Sequence, residues 1–158
     1  MTDSHKIKQP PDTQELDSIL RSSKLVSGGF MGTDQRSYEK VIQSDAADIA
    51  CTGKTITDIV ARMRDISALA ERGLGANVTI NENIQASATD TRGKIPCPWQ
   101  HPGLFKKTVT TVKRLNADTI LHWSDLSIHL IEKHGFFQGY GSPFRLAPKE
   151  LVQIIFPA

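Results

Sequence analysis

Cys97 and His101, followed by His129 and His134, are the residues of this chain whose types and spacing suit a chemical task. Zinc and related ions prefer thiolate and imidazole donors in tetrahedral sets of four, typically two from a tight knuckle and two from a helix end. Here the first pair lies in a turn stiffened by Pro96, Pro98 and Pro102. The second lies on a predicted helix that follows a predicted hairpin. The layout is similar to a Cys/His zinc finger with an enlarged hairpin, a metal-binding hairpin-helix module over 97–134. The pattern departs from a finger in having one Cys where a finger has two, and in a far longer gap between its pairs. Helix positions five apart also differ by about 140° in direction. Both rings reach one ion only if the helix unwinds near His134, which Gly135 permits. His122 and Asp125 stand nearby as substitute ligands. The competing reading makes the histidines structural, with His134 favoured as a cation near a helix C-terminus.

The same residues suit a second chemistry. Cys97 as a nucleophile, His129 or His101 as its base and Asp125 as the orienting acid would make a Cys/His hydrolase. A thiolate needs a nearby cation or a helix N-terminus, and the turn around Cys97 supplies neither in sequence. A third candidate is the loop 135–145, in which Phe136, Phe137, Tyr140 and Phe144 alternate with Gly135, Gly139 and Gly141 and end at Arg145. The phenylalanines read as core plugs. Tyr140 and Arg145 read as exposed contacts, because aromatic faces stack on ligands and Arg grips carboxylate or phosphate. Lys106 and Lys107, in a run from Lys94 to Arg114 that has no carboxylate, add an anion-facing surface for an anionic ligand, a nucleic acid or an acidic peptide, or else the solvated face of a hairpin. Gly53-Lys54-Thr55 imitates the end of a phosphate-binding loop. The required earlier glycine is Asp48, and a helix precedes it where a strand should, so the motif fails.

The elements that would position these residues are legible from periodicity and caps. Asp12 and Glu15 open a helix over about 13–23. Another runs over about 36–52, capped by Asp34 or Ser37 and stopped by Gly53. Thr55 and Asp58 open a third, whose stripe of Ile56, Ile59, Val60, Met63, Ile66, Leu69 and Ala70 is the clearest in the chain. The last two, a short turn apart, are expected to form an antiparallel hairpin. The Gly-rich stretch 27–32 reads as a loop tucked on the core by Phe30 and Met31. Strands are expected at 77–80, 84–89, 108–113 and 119–123, with Asn116-Ala117-Asp118 as a turn. Ser124 or Asp125 opens a helix ending at His134-Gly135, and Pro148 starts a last short one. The sum is one α+β domain over 13–158, a helical hairpin on a small antiparallel sheet with a hairpin-helix module, after a flexible tail over 1–12.

Composition limits the function classes. A hydrophobic share of 39%, a charged share of 23% and a net charge of +2 describe an ordinary globular chain. The charge is too small to argue for nucleic acid by itself. No segment has the length of a signal peptide core or a membrane span, and two distant cysteines make no disulfide framework, so a cytoplasmic protein without a membrane partner is expected. The segments 28–36 (GGFMGTDQR), 97–99 (CPW) and 125–145 (DLSIHLIEKHGFFQGYGSPFR) resemble an uncharacterised family of small bacterial proteins. That resemblance implies one intact domain from about residue 25 onward and supplies no activity. Together these readings point to a non-enzymatic binding or regulatory domain with a structural zinc. A metal-dependent or Cys/His hydrolase using the same cluster is the alternative.

Overall fold

The computed structural model describes residues 12–156, so the tail expected at the N-terminus lies outside the described residues up to position 11. The first four helices begin where a side chain takes over an orphan backbone donor. Asp12 accepts from the Glu15 N–H and opens α1 (Thr13–Arg21). Ser37 opens α2 (Tyr38–Thr52), and Gly53 closes it in the left-handed conformation. Thr55 and Asp58 form a capping box for α3 (Ile56–Glu71).

From Val78 the chain turns to strands β1 (Val78–Thr79), β2 (Ile84–Thr89), β3 (Lys94–Pro96), β4 (Leu104–Lys106), β5 (Val109–Arg114) and β6 (Ile120–Ser124). Two helices follow, α4 (Asp125–His134) and α5 (Pro148–Ile155). β1, β2, β5 and β6 form an antiparallel sheet in that order, and β3 and β4 pair separately. The fold is α+β, as the sequence indicates.

One sheet face is apolar because Ala86, Val112, Leu121 and Trp123 point to the same side. The small Ala86 and Ala88 of β2 let α3 lie close across the strand through Ile59, Met63, Ile66 and Ala70. The Trp123 indole donates to Ser67 Oγ at 2.8 Å and the Thr110 hydroxyl at 3.1 Å, so the buried polar atoms under α3 are paired. α2, although separated from α3 by only Gly53, Lys54 and Thr55, packs mainly against α5.

A second core gathers Leu16 and Leu20 of α1, Phe30, Met31, Val41, Ile95, Cys97, Leu126, Leu130 and Phe136. α4 is shared between the two cores, turning Ile128 and Ile131 to the first and Leu126 and Leu130 to the second. The loop 27–32 is tucked in as expected, with Phe30 and Met31 buried. It docks on the glycine-aromatic loop through Gly139 N–H to Phe30 O at 2.9 Å and Thr33 N–H to Tyr140 O at 2.8 Å. A side chain at Gly139 would collide with the Met31 carbonyl.

Asp34 seals this docking. Its carboxylate takes a two-pronged bond from Arg36 at 2.9 and 2.7 Å and accepts the Tyr140 N–H at 3.2 Å. The Arg36 guanidinium, ahead of the opposing effect of burial, holds this carboxyl well below the usual carboxylate range. A depressed folded pKa means stability that is present above the unfolded value near 3.8 and is lost as pH falls below it. Acid unfolding of Asp34→Asn is therefore expected to start from a lower stability at neutral pH. It should also show a shallower fall below about pH 4 than wild type, read by urea titrations at stepped pH. An unchanged slope would show that other carboxylates carry the acid transition.

Candidate metal centre

The knuckle is the tip of the β3–β4 ribbon. Lys94, Ile95 and Pro96 pair with Lys106, Phe105 and Leu104, so the chain leaves and returns within a few ångströms on either side of Cys97 and His101. This ribbon has no counterpart in the expected strands, which place a bare Pro-rich turn here. Ile95 and Phe105 anchor it to the second core, and β4 lies against α4. Within the tip, the Gln100 N–H donates to the Cys97 carbonyl at 2.8 Å, and Gln100 adopts φ 65°, a left-handed turn residue. The turn leaves the backbone N–H groups of Trp99, His101 and Gln100 near the Cys97 sulfur. Burial pushes the Cys97 thiol up, and those three donors offset the effect only in part.

α4 brings the other pair. Ser124 and Ser127 form its capping box, and Gly135 closes it with φ 62°. His134 is the last helical residue, so the helix does not unwind as expected from the five-residue spacing. The rings of His129 and His134 instead converge from two flanks of the final turn, their centroids 5.7 Å apart at 77°. The knuckle sits against that turn and fills the angle between them.

Cys97, His101, His129 and His134 thus each place one donor atom within 4.8 Å of all the others. Cys97 Sγ is 3.6 Å from His134 Nε2, and His101 Nε2 is 3.0 Å from the same atom. A tetrahedral ion with Zn–S and Zn–N bonds of ordinary length spaces its donors about 3.3–3.6 Å apart, so a small adjustment of the rings would suffice. The His129 Nε2 atom is buried with no hydrogen-bond partner. An orphaned imidazole nitrogen is costly, and coordination would satisfy it. Trp99 stacks on His134 at 3.9 Å and 10°, and Phe105 lies 4.4 Å from His129, so aromatic packing holds both rings. Burial first, then His101 and His129, pushes His134 down to about 4, and burial first, then His101 and Lys133, holds His129 below its ordinary value. Both are therefore neutral near pH 7, the form that coordinates.

No family model, curated protein or solved structure matches this chain. What the site does must be read from its own residues.

The remaining sequence candidates are not brought to the cluster. His122 lies exposed on β6 and bonds Thr111 Oγ1 at 3.1 Å. Asp125 stands one turn before His129, but its charged neighbours are Lys106 and Arg64, and burial raises its carboxyl. With Cys97 only 1% exposed and its thiol held protonated by burial, the arrangement is poor for nucleophilic attack. Arg145 is not an exposed contact, which corrects the sequence reading. Its side chain is 10% exposed and grips Asp45 at 2.6 and 3.0 Å while also donating to the Gln138 carbonyl. Tyr140 is exposed, but Arg36 and Arg145 lie over its ring at 4.7 and 4.8 Å. Lys106 is exposed on β4, and Lys107 is half-buried. Phe136 and Phe137 plug the core as expected. Among the described residues, no helix is long and apolar enough to cross a membrane.

Trp99 and Asp45 were absent from the candidate residues. Trp99 lies in the Cys-Pro-Trp segment between two proposed ligands, a local signal for an aromatic packed on the site. Asp45 had no such signal.

Proposed function

We propose that this protein is a non-enzymatic binding module. A zinc ion held by Cys97, His101, His129 and His134 fixes the β3–β4 knuckle to the end of α4. The observation that carries the reading is the convergence of four donors from two separated segments, and one of the residues, His129, also carries a buried ring nitrogen with no hydrogen-bond partner. One thiolate and three imidazoles suit zinc better than calcium or magnesium, which prefer oxygen. A closed set of four protein ligands is the mark of a structural site, so the ion's first role is to hold two elements together.

Elemental analysis of untagged protein purified without chelator tests the reading. About one zinc per chain is expected, falling at least tenfold in Cys97→Ser and His129→Ala. His122→Ala should retain it. Well-folded wild-type protein without metal, which also takes up none on incubation with zinc, would overturn the proposal.

A further inference from the structure

The four donors of the cluster face different surroundings. Cys97 is buried, His129 and His134 are half-buried, and His101 is exposed. A cleft of about 710 Å³ opens between α1 and the knuckle, with Cys97 and His101 in its lining. Ile19, Leu25, Pro96, Pro98 and Pro102 make its walls largely apolar, and the charges of Glu15 and Lys24 offset one another there. Clefts of this size and character hold small organic molecules.

Charge decides what kind of molecule. A divalent ion bound by one thiolate and three neutral imidazoles keeps one unit of positive charge. In an apolar cleft that charge is poorly screened and favours an anionic donor. His101 is the donor most easily displaced. It is exposed and stands between the left-handed Gln100 and Gly103, both with positive φ. Its nearest ring contacts are the two other histidines, at 4.8 and 5.5 Å between centroids.

Resting on the metal reading above, we propose that His101 is an exchangeable ligand and that the ion takes a small organic thiol in its place. The sulfur binds the ion, and an apolar body lies in the α1–knuckle cleft. The exchange breaks the metal–His101 bond, forms a metal–thiolate bond and releases the thiol proton to solvent. No redox change is involved. Soft thiolate suits this ion better than carboxylate, and the cleft walls recognise the apolar remainder.

The test uses the full chain loaded with one cobalt(II), whose visible bands report thiolate coordination, titrated with benzyl mercaptan and with 2-mercaptoethanol. A stronger thiolate-to-cobalt band that saturates is expected, with benzyl mercaptan binding at least tenfold tighter than the hydrophilic thiol. Ser18→Trp, which narrows the cleft from the exposed face of α1, should keep the cobalt and weaken benzyl mercaptan at least tenfold. His101→Ala should hold cobalt more weakly by itself and regain affinity for the ion when benzyl mercaptan fills the vacant position. A cobalt spectrum unmoved by thiol, or equal affinity for both thiols in wild type and Ser18→Trp, would overturn the cleft proposal and leave the structural metal intact. Failure of folded protein to bind cobalt or zinc would overturn the metal reading itself, and this proposal with it.

Discussion

If the proposed ion is bound, stripping it is expected to lower the melting temperature of this protein by roughly 8–16 °C. Ligand linkage contributes about 4 kcal/mol when the free ion stands a thousandfold above its dissociation constant. A domain of this length shifts by about 2–4 °C per kcal/mol. The loss should be uneven. Cys97 and Ile95 belong to the second core, with Leu126, Leu130 and Phe136, and Trp99 and Phe105 pack against it. The first core, under α3 on the four-stranded sheet, contains neither knuckle residue. Amide exchange on chelator-treated protein should therefore speed up in β3, β4 and the last turn of α4. β2, β5 and α3 should stay protected. Cys97→Ser should reproduce the pattern with metal present, because the remaining three donors hold the ion far more weakly. A metal-loaded protein whose melting temperature and exchange are unmoved by chelation would mean that packing alone builds the knuckle. The ion would then decorate a site rather than hold one.

The parts of this architecture legible in sequence are those fixed by local chemistry. The Thr55–Asp58 box, Gly53, Gly135 and Pro148 stand at the helix ends where their backbone preferences place them. The Cys and His residues of the cluster and their two-pair spacing were legible for the same reason. Their geometry was not. Spacing alone puts His129 and His134 on diverging sides of α4, and only the position of the knuckle against the helix end makes them converge. The ribbon presenting that knuckle was hidden because its strands are three residues each and one ends in Pro96, too short for a period of two to register. Partner choice was hidden as well. The stripes of α2 and α3 both say that a face is buried, and neither says that α5 covers one and the sheet the other.

Arg145→Ala is expected to cost about 3–5 kcal/mol of stability, because it strands Asp45 as an unpaired buried carboxylate. Asp45 is 1% exposed on α2, and its two oxygens are held by Arg145 from the far side of the glycine-aromatic loop. The same guanidinium donates to the Gln138 carbonyl at 2.7 Å, so its loss frees the loop as well as the charge. Removing both charges with Asp45→Asn and Arg145→Met should recover part of the loss, since a buried pair is worth less than the damage of breaking it. Arg64→Ala is the control. Arg64 makes an equally well-formed fork to Glu132, but its side chain is 55% exposed, and a surface pair of this kind contributes about 1 kcal/mol or less. Urea denaturation of the four proteins measures the contrast. If Arg145→Ala were as mild as Arg64→Ala, water would have to reach Asp45 once the guanidinium is gone. The loop would then be held by its glycine docking on Phe30 and Met31, not by the ion pair.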